Sequence, residues 1–138
     1  MLARSRVVTS ARRVLGGAAM SEFASPDRCA AYVAARSALI AVQRAATTWP
    51  DGLSDRARHG AIGTVQHTAE AISHGPATAG RRRCLRDAIT TALGVAAAID
   101  VAHALGYGDH DLVEVRRIAG RTVALLGMLL HAGTVVPV

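Results

Sequence analysis

At 138 residues the chain has the length of one domain, long enough to bury a core without disulfide or metal staples. Hydrophobic residues make up 51% of it and aromatics only 3%, an Ala-rich composition that favours closely packed helices and argues against a sheet. The formal net charge is +6, but residues 1–19 hold Arg4, Arg6, Arg12 and Arg13 with no acid, leaving twelve Arg against ten Asp and Glu, or +2, so the body is less basic than the whole-chain figure suggests.

The first nineteen residues place Val7, Val8, Ala11, Val14, Leu15 and Ala18 at helical spacing among those arginines, the pattern of a basic amphipathic helix that lies on nucleic acid or a membrane surface. Two other readings stand beside it: a disordered tail, and an over-long start with translation beginning at Met20. The chain therefore divides into a basic segment, 1–24, and a helical body, 25–138. Ser25-Pro26-Asp27 reads as a helix start, with Ser as N-cap, Pro in the first turn and an acid against the dipole. Val33, Ile40, Ala45 and Ala46 carry helix one to about Thr48, where Trp49-Pro50-Asp51-Gly52 breaks it and Trp49 plugs the bundle end. Helix two runs from about Leu53 to Ser73 with Ala57, Ala61, Ile62, Val65, Ala69 and Ile72 inward, and stops at His74-Gly75-Pro76.

The third helix, Arg81 to Tyr107, organises the rest. Leu85, Ala88, Ile89, Ala92, Val95, Ala96, Ile99 and Ala102 recur at three-and-four spacing, and between Asp87 and Asp109 the only formal charge is Asp100. A rod this poor in charge needs cover on more than one side, from its own chain or from another copy. Gly94, Ala96, Ala97 and Ala98 predict a close helix contact, and Gly106 a left-handed stop with Tyr107 folding back. Asp111 to Glu114 reads as a capping box, and helix four carries Leu112, Val115, Ile118, Ala119, Thr122, Leu125, Leu126 and Leu129 to about Ala132, ended by Gly133 before the apolar TVVPV. Four helices joined by short connections predict an all-α, up-down-up-down antiparallel four-helix bundle.

Trp49-Pro50 ending helix one, Gly52-Leu53 opening helix two, His67-Thr68-Ala69-Glu70-Ala71 near its end, the Arg81-Arg82-Arg83 cluster, Cys84-Leu85, and Leu105-Gly106-Tyr107 stand in the order of a known set of motifs. Over roughly Ala30 to Ala132 the chain resembles the bacterial four-helix-bundle family typified by the 23S rRNA intervening-sequence protein, related to accessory variability proteins of diversity-generating retroelements. It departs from the pattern where the family's Gln and twin Arg stand as Arg56, Arg58 and His59, and where a mid-helix Glu stands as Gly94. The resemblance implies a homopentameric ring of four-helix protomers without recognised catalytic chemistry, which in the retroelement relatives binds nucleic acid and a reverse transcriptase.

Arg81, Arg82, Arg83 and Arg86 form the densest charge of the body, at a helix N-terminus where cations oppose the dipole, which points to an acidic ligand such as phosphate. Arg56 and Arg58 complete the candidate nucleic-acid-binding set. The competing reading pairs the cluster with Asp51, Asp55 or Asp87. No exposed aromatic pattern supports base stacking, so contacts are expected to the backbone and to be salt-sensitive.

His67, Glu70 and His74 at i, i+3 and i+7 imitate a metal trio, with Asp100 and His103 repeating the spacing. A bundle-core metal needs carboxylates from several helices, and helix one offers none, so no metal or cofactor is expected and Glu70 is expected to pair with Arg. No Ser/His/acid set, phosphate-binding Gly loop or paired carboxylates stand out, and Thr90 and Thr91 read as surface or interhelix hydroxyls. Cys29 and Cys84 have neither ligand nor disulfide spacing and read as reduced buried thiols of a cytoplasmic protein. Asp100, His103, Arg121 and His131 interrupt the apolar stretches, so no membrane span is expected. Together these readings predict a non-enzymatic homo-oligomeric accessory protein that binds RNA or DNA through Arg clusters. The alternative is a protein-protein interaction module with no nucleic-acid role.

Overall fold

The computed structural model describes residues 28–108 and 110–132. Among them are four α-helices and no strand: α1 Ala30–Ala45, α2 Asp51–Ser73, α3 Ala79–Ala104 and α4 His110–Ala132, with a 3-10 turn at Ala46–Thr48. The basic segment, the Ser25-Pro26-Asp27 start, Asp109, Gly133 and the TVVPV stretch lie outside the described residues. Each helix packs on the next in sequence, and α1 closes against α4, so the four make a helical bundle. Gly60 beside Val95, Thr64 beside Thr91 and Glu70 beside Cys84 fall in opposite order along α2 and α3.

α3 follows its sequence pattern closely. Leu85, Ala88, Ala92, Val95, Ala96, Ile99 and Ala102 are buried. The Tyr107 N–H bonds the Ala102 carbonyl at 2.9 Å and the Gly106 N–H that of His103 at 3.0 Å, with Gly106 at φ 84, the paired closure of a Schellman stop. Its start lies two residues earlier than expected, at Ala79, because the Thr78 hydroxyl accepts the Arg81 N–H and caps the helix.

α1, with the turn after it, and α2 bury Ala46, Ala57, Ala61 and Ile72 as expected but differ at other positions. Val33 and Ile40 are 47% and 48% exposed, and Ile62 is 41% exposed; the core takes Ala31, Ala34, Ala35, Ala38 and Val42 from α1, and Ser54, Ala57, Ala61, Thr64, Thr68, Ala71 and Ile72 from α2. Small side chains let the helix axes close up, and the larger ones are turned to the flanks. The threonine hydroxyls are satisfied locally: Thr68 donates to the Thr64 carbonyl at 2.6 Å, and the Thr64 and Thr91 hydroxyls meet across α2 and α3 at 2.8 Å. α2 begins at Asp51, and α4 at His110, which puts Asp111 inside the first turn rather than at the N-cap. Glu114 of the expected capping box binds Arg117 instead, at 2.8 and 2.9 Å from its Nε, and this bond holds the Glu114 carboxyl below its usual range.

The core has two centres. Val42, Ala46, Trp49, Ala57, Val95, Ile99, Leu112 and Val115 fill one end, where Trp49 is 5% exposed and plugs the bundle as expected. Ala31, Ala71, Cys84, Leu85, Ala88 and Leu126, with Cys29 and Leu129 packed against them, fill the other. Among the described residues no helix is long and apolar enough to cross a membrane.

Candidate nucleic-acid interface

The second core centre holds residues from the start of α1 and the start of α3, so Arg28 lies at the same end of the bundle as Arg81, Arg82, Arg83 and Arg86. Among the described residues, Glu70 and Asp87 are the acids of that end, against five Arg. Sequence reading missed Arg28, because only the packing of α1 against α4 and α2 carries it to this end.

The four clustered arginines have unlike roles. Arg81 Nη1 reaches the His74 carbonyl at 3.5 Å, and Arg82 Nη1 donates to the Ala77 carbonyl at 2.9 Å. Ala77 is the non-glycine residue that turns the α2–α3 loop at φ 62, a conformation costing roughly 1 kcal/mol or more, and Arg82 holds it there. Arg83 and Arg86 are exposed. None of the four lies within 4.0 Å of a carboxylate among the described residues, so the expected pairing with Asp51, Asp55 or Asp87 is absent from the protomer.

Arg56 and Arg58 stand elsewhere. Fifteen residues separate Arg58 from the end of α2 at Ser73, about 22 Å of helix, so these two belong to the tryptophan end. Arg58 is half-buried and donates to the Gln43 carbonyl at 3.4 Å, while its Nε is buried without a partner, as are Trp49 Nε1 and Ser54 Oγ nearby in sequence. Arg56 lines a groove between α2 and α3 with Leu53, Gly60, Gly94, Ala97 and Val101. The six candidate residues therefore make two sites, and only the α3 group forms a dense one.

Glu70 does not pair with Arg. Its Oε1 lies 3.6 Å from His67 Nδ1 and accepts the Cys84 Sγ–H at 3.8 Å. Asp100 leaves His103 for Arg116 of α4, whose Nε donates to it at 2.9 Å. Among the described residues no three of His, Cys, Asp or Glu are placed to hold a metal ion. Thr90 Oγ1 back-bonds the Arg86 carbonyl at 3.0 Å, and Thr91 serves the interhelix contact, so both hydroxyls have structural partners.

Burial, and then the Glu70 carboxylate, push the Cys84 thiol up, with Arg83 opposing. Near neutral pH, a maleimide-type reagent should modify half-buried Cys29 in the native protein and spare Cys84 until denaturant is added, read as one adduct per chain by intact mass. Equal labelling of both thiols would show that the arginine end does not pack as described.

No protein-family model matches the chain, and no curated protein matches it. The family resemblance accordingly rests on the motifs themselves.

Proposed function

We propose that this chain is a non-catalytic, homo-oligomeric four-helix bundle of up-down-up-down order that binds a nucleic-acid backbone through its arginine end. The observation that carries the reading is the charge of Arg83 and Arg86, which have no carboxylate within 4.0 Å among the described residues. Phosphates answer that need, and repetition around a ring multiplies contacts that are weak singly. Opposite-order pairing of α2 with α3 supports the antiparallel topology. Assembly as a pentamer, and service to a reverse transcriptase, follow from the family resemblance.

The test separates binding from loop integrity. Arg83→Ala/Arg86→Ala removes the two outward charges and leaves the loop-holding Arg81 and Arg82 in place. The double variant should bind a short RNA or DNA duplex at least about tenfold more weakly at roughly 0.1 M salt, with the slope of log K against log salt reduced by about 2. Unchanged affinity and slope would remove the arginine end as the interface, and a stably folded lone subunit in native mass measurement would remove the assembly.

A second reading, a module that binds only protein, is favoured by Leu93 and Val101 of α3, 53% and 46% exposed. A stoichiometric protein partner in material free of nucleic-acid absorbance would support it over the first.

A further inference from the structure

We propose that the groove between α1 and α4 docks an acidic amphipathic helix of a partner protein. The groove opens along α1 from Arg28 to Ser37, opposite Arg117, Ile118 and Arg121 of α4. Its floor is apolar: Val33 stands 47% exposed, over Ala34 and half-buried Ile118. Its rim is cationic. Glu114 holds Arg117 at 2.7 Å, whereas Arg28 and Arg121 have no carboxylate within 4.0 Å among the described residues.

The sequence explains the one-sided charge. α1 contains no acid, and α4 contains none after Glu114, so beyond that turn every formal charge on the two facing helices is positive. Floor and rim together select the occupant. A nucleic-acid backbone has no apolar face to cover Val33, and among the described residues no aromatic side chain lines the groove for a base to stack on. A helix with an apolar stripe flanked by carboxylates answers both features, in the helix-in-groove mode read as i, i+3, i+4 and i+7 anchors. The stretch from Arg28 to Ser37 spans about 14 Å, enough for two to three turns of such a helix. A second copy of this chain fits less well, because α2 and α3 interleave their acids with Arg56, Arg58, Arg83 and Arg86. The site shares Arg28 with the arginine end but includes none of Arg81, Arg82, Arg83 and Arg86, and it does not rest on the nucleic-acid reading.

The test uses the full chain and fluorescence anisotropy with labelled peptides of about 18 residues, one carrying Leu at heptad spacing with Glu flanks and one with Lys flanks. Wild-type protein should bind the Glu peptide at least about tenfold more tightly than the Lys peptide. Arg28→Glu/Arg121→Glu, at two exposed positions, should reverse that order, and Val33→Ser should weaken the Glu peptide at least about threefold, with circular dichroism verifying the fold of each variant. Arg83→Ala/Arg86→Ala should leave the peptide affinity unchanged. Absence of Glu-peptide binding at about 1 mM, equal binding by wild type and the charge-reversed variant, or loss of RNA binding and not of peptide binding on that charge reversal would each overturn the proposal.

Discussion

Leu126→Ala should cost the protein about 4 kcal/mol, towards the upper end of the range for removing a buried Leu. The reason lies in what surrounds it. Leu126 is fully buried; the other buried members of its core centre are Ala31, Ala71, Ala88 and Ala92 with Cys84 and Leu85, and Ile89, Val123, Leu125, Leu129 and Leu130 pack on it from partly exposed positions. Alanine has no side-chain rotamer with which to lean into a void, so the hole left by the substitution stays open and its lining loses dispersion contacts outright. Only Leu85, Ile99 and Leu126 among the described residues are both Leu or Ile in size and less than 3% exposed. Ile72 and Leu112 are buried as well, so the substitution removes one of five buried Leu and Ile side chains among the described residues, against a total stability of about 5–15 kcal/mol for an ordinary domain. Urea unfolding followed by circular dichroism measures the loss, and the melting temperature should fall by about 15 °C or more. A loss below about 1.5 kcal/mol would mean that the helices collapse onto the gap, and that this end is less rigidly packed than its geometry indicates.

That core also shows which part of the fold was legible in advance. In α3 the apolar face is made of residues that are both apolar and periodic, so Leu85, Ala92, Val95 and Ile99 were read correctly and Gly106 marked the stop. In α1, the turn after it and α2 the guide held at Ala46, Ala57, Ala61 and Ile72 and failed elsewhere for one physical reason: hydropathy ranks Ile and Val above Ala and Thr, whereas close helix packing selects for small volume. Val33, Ile40 and Ile62 were therefore placed inside, while Ser54, Thr64 and Thr68, whose buried positions owe as much to size as to polarity, went unremarked. Thr64 and Thr68 escape the usual penalty for buried hydroxyls by bonding the carbonyl one turn back, a device invisible to a hydropathy pattern.

The candidate site divides in the same way. The run Arg81-Arg82-Arg83 is plain in the sequence, but its partners are not, since Arg82 spends its guanidinium on the Ala77 carbonyl while Arg83 faces outward. Arg28 reaches the same end, and Arg121 opposes it across the α1–α4 groove, only through contacts between residues some ninety positions apart in the chain. Arg56 and Arg58 drew attention by resemblance alone, and the length of α2 separates them from the cluster.

Two glycines should respond in opposite directions, although both lie inside helices and both cost their helix about 1 kcal/mol relative to alanine. A Cβ built at Gly60 meets Val95 Cγ2 at 2.9 Å and the Thr91 carbonyl oxygen at 3.4 Å; at Gly94 it meets nothing within 4 Å. Val95 is 2% exposed and branched at Cβ, so it has little freedom to turn away, and the Thr91 oxygen belongs to the backbone. Gly60→Val should thus force α2 and α3 apart, lengthen the Thr64–Thr91 hydroxyl contact of 2.8 Å, and cost about 2–3 kcal/mol net of the propensity gained. Gly94→Ala should stabilise by up to about 1 kcal/mol. The close helix contact expected at Gly94 is therefore not made within the protomer, where the approach of α2 to α3 is made at Gly60. Gly94 instead lies open beside Ala97 and Val101 in the groove that α2 and α3 form on the surface. Gly94→Leu consequently separates folding from assembly. In dilute protein it should leave the melting curve near that of wild type, and if copies meet at this groove the same substitution should lower the subunit number in native mass measurement. A subunit number that survives Gly94→Leu would put the contact between copies on another face.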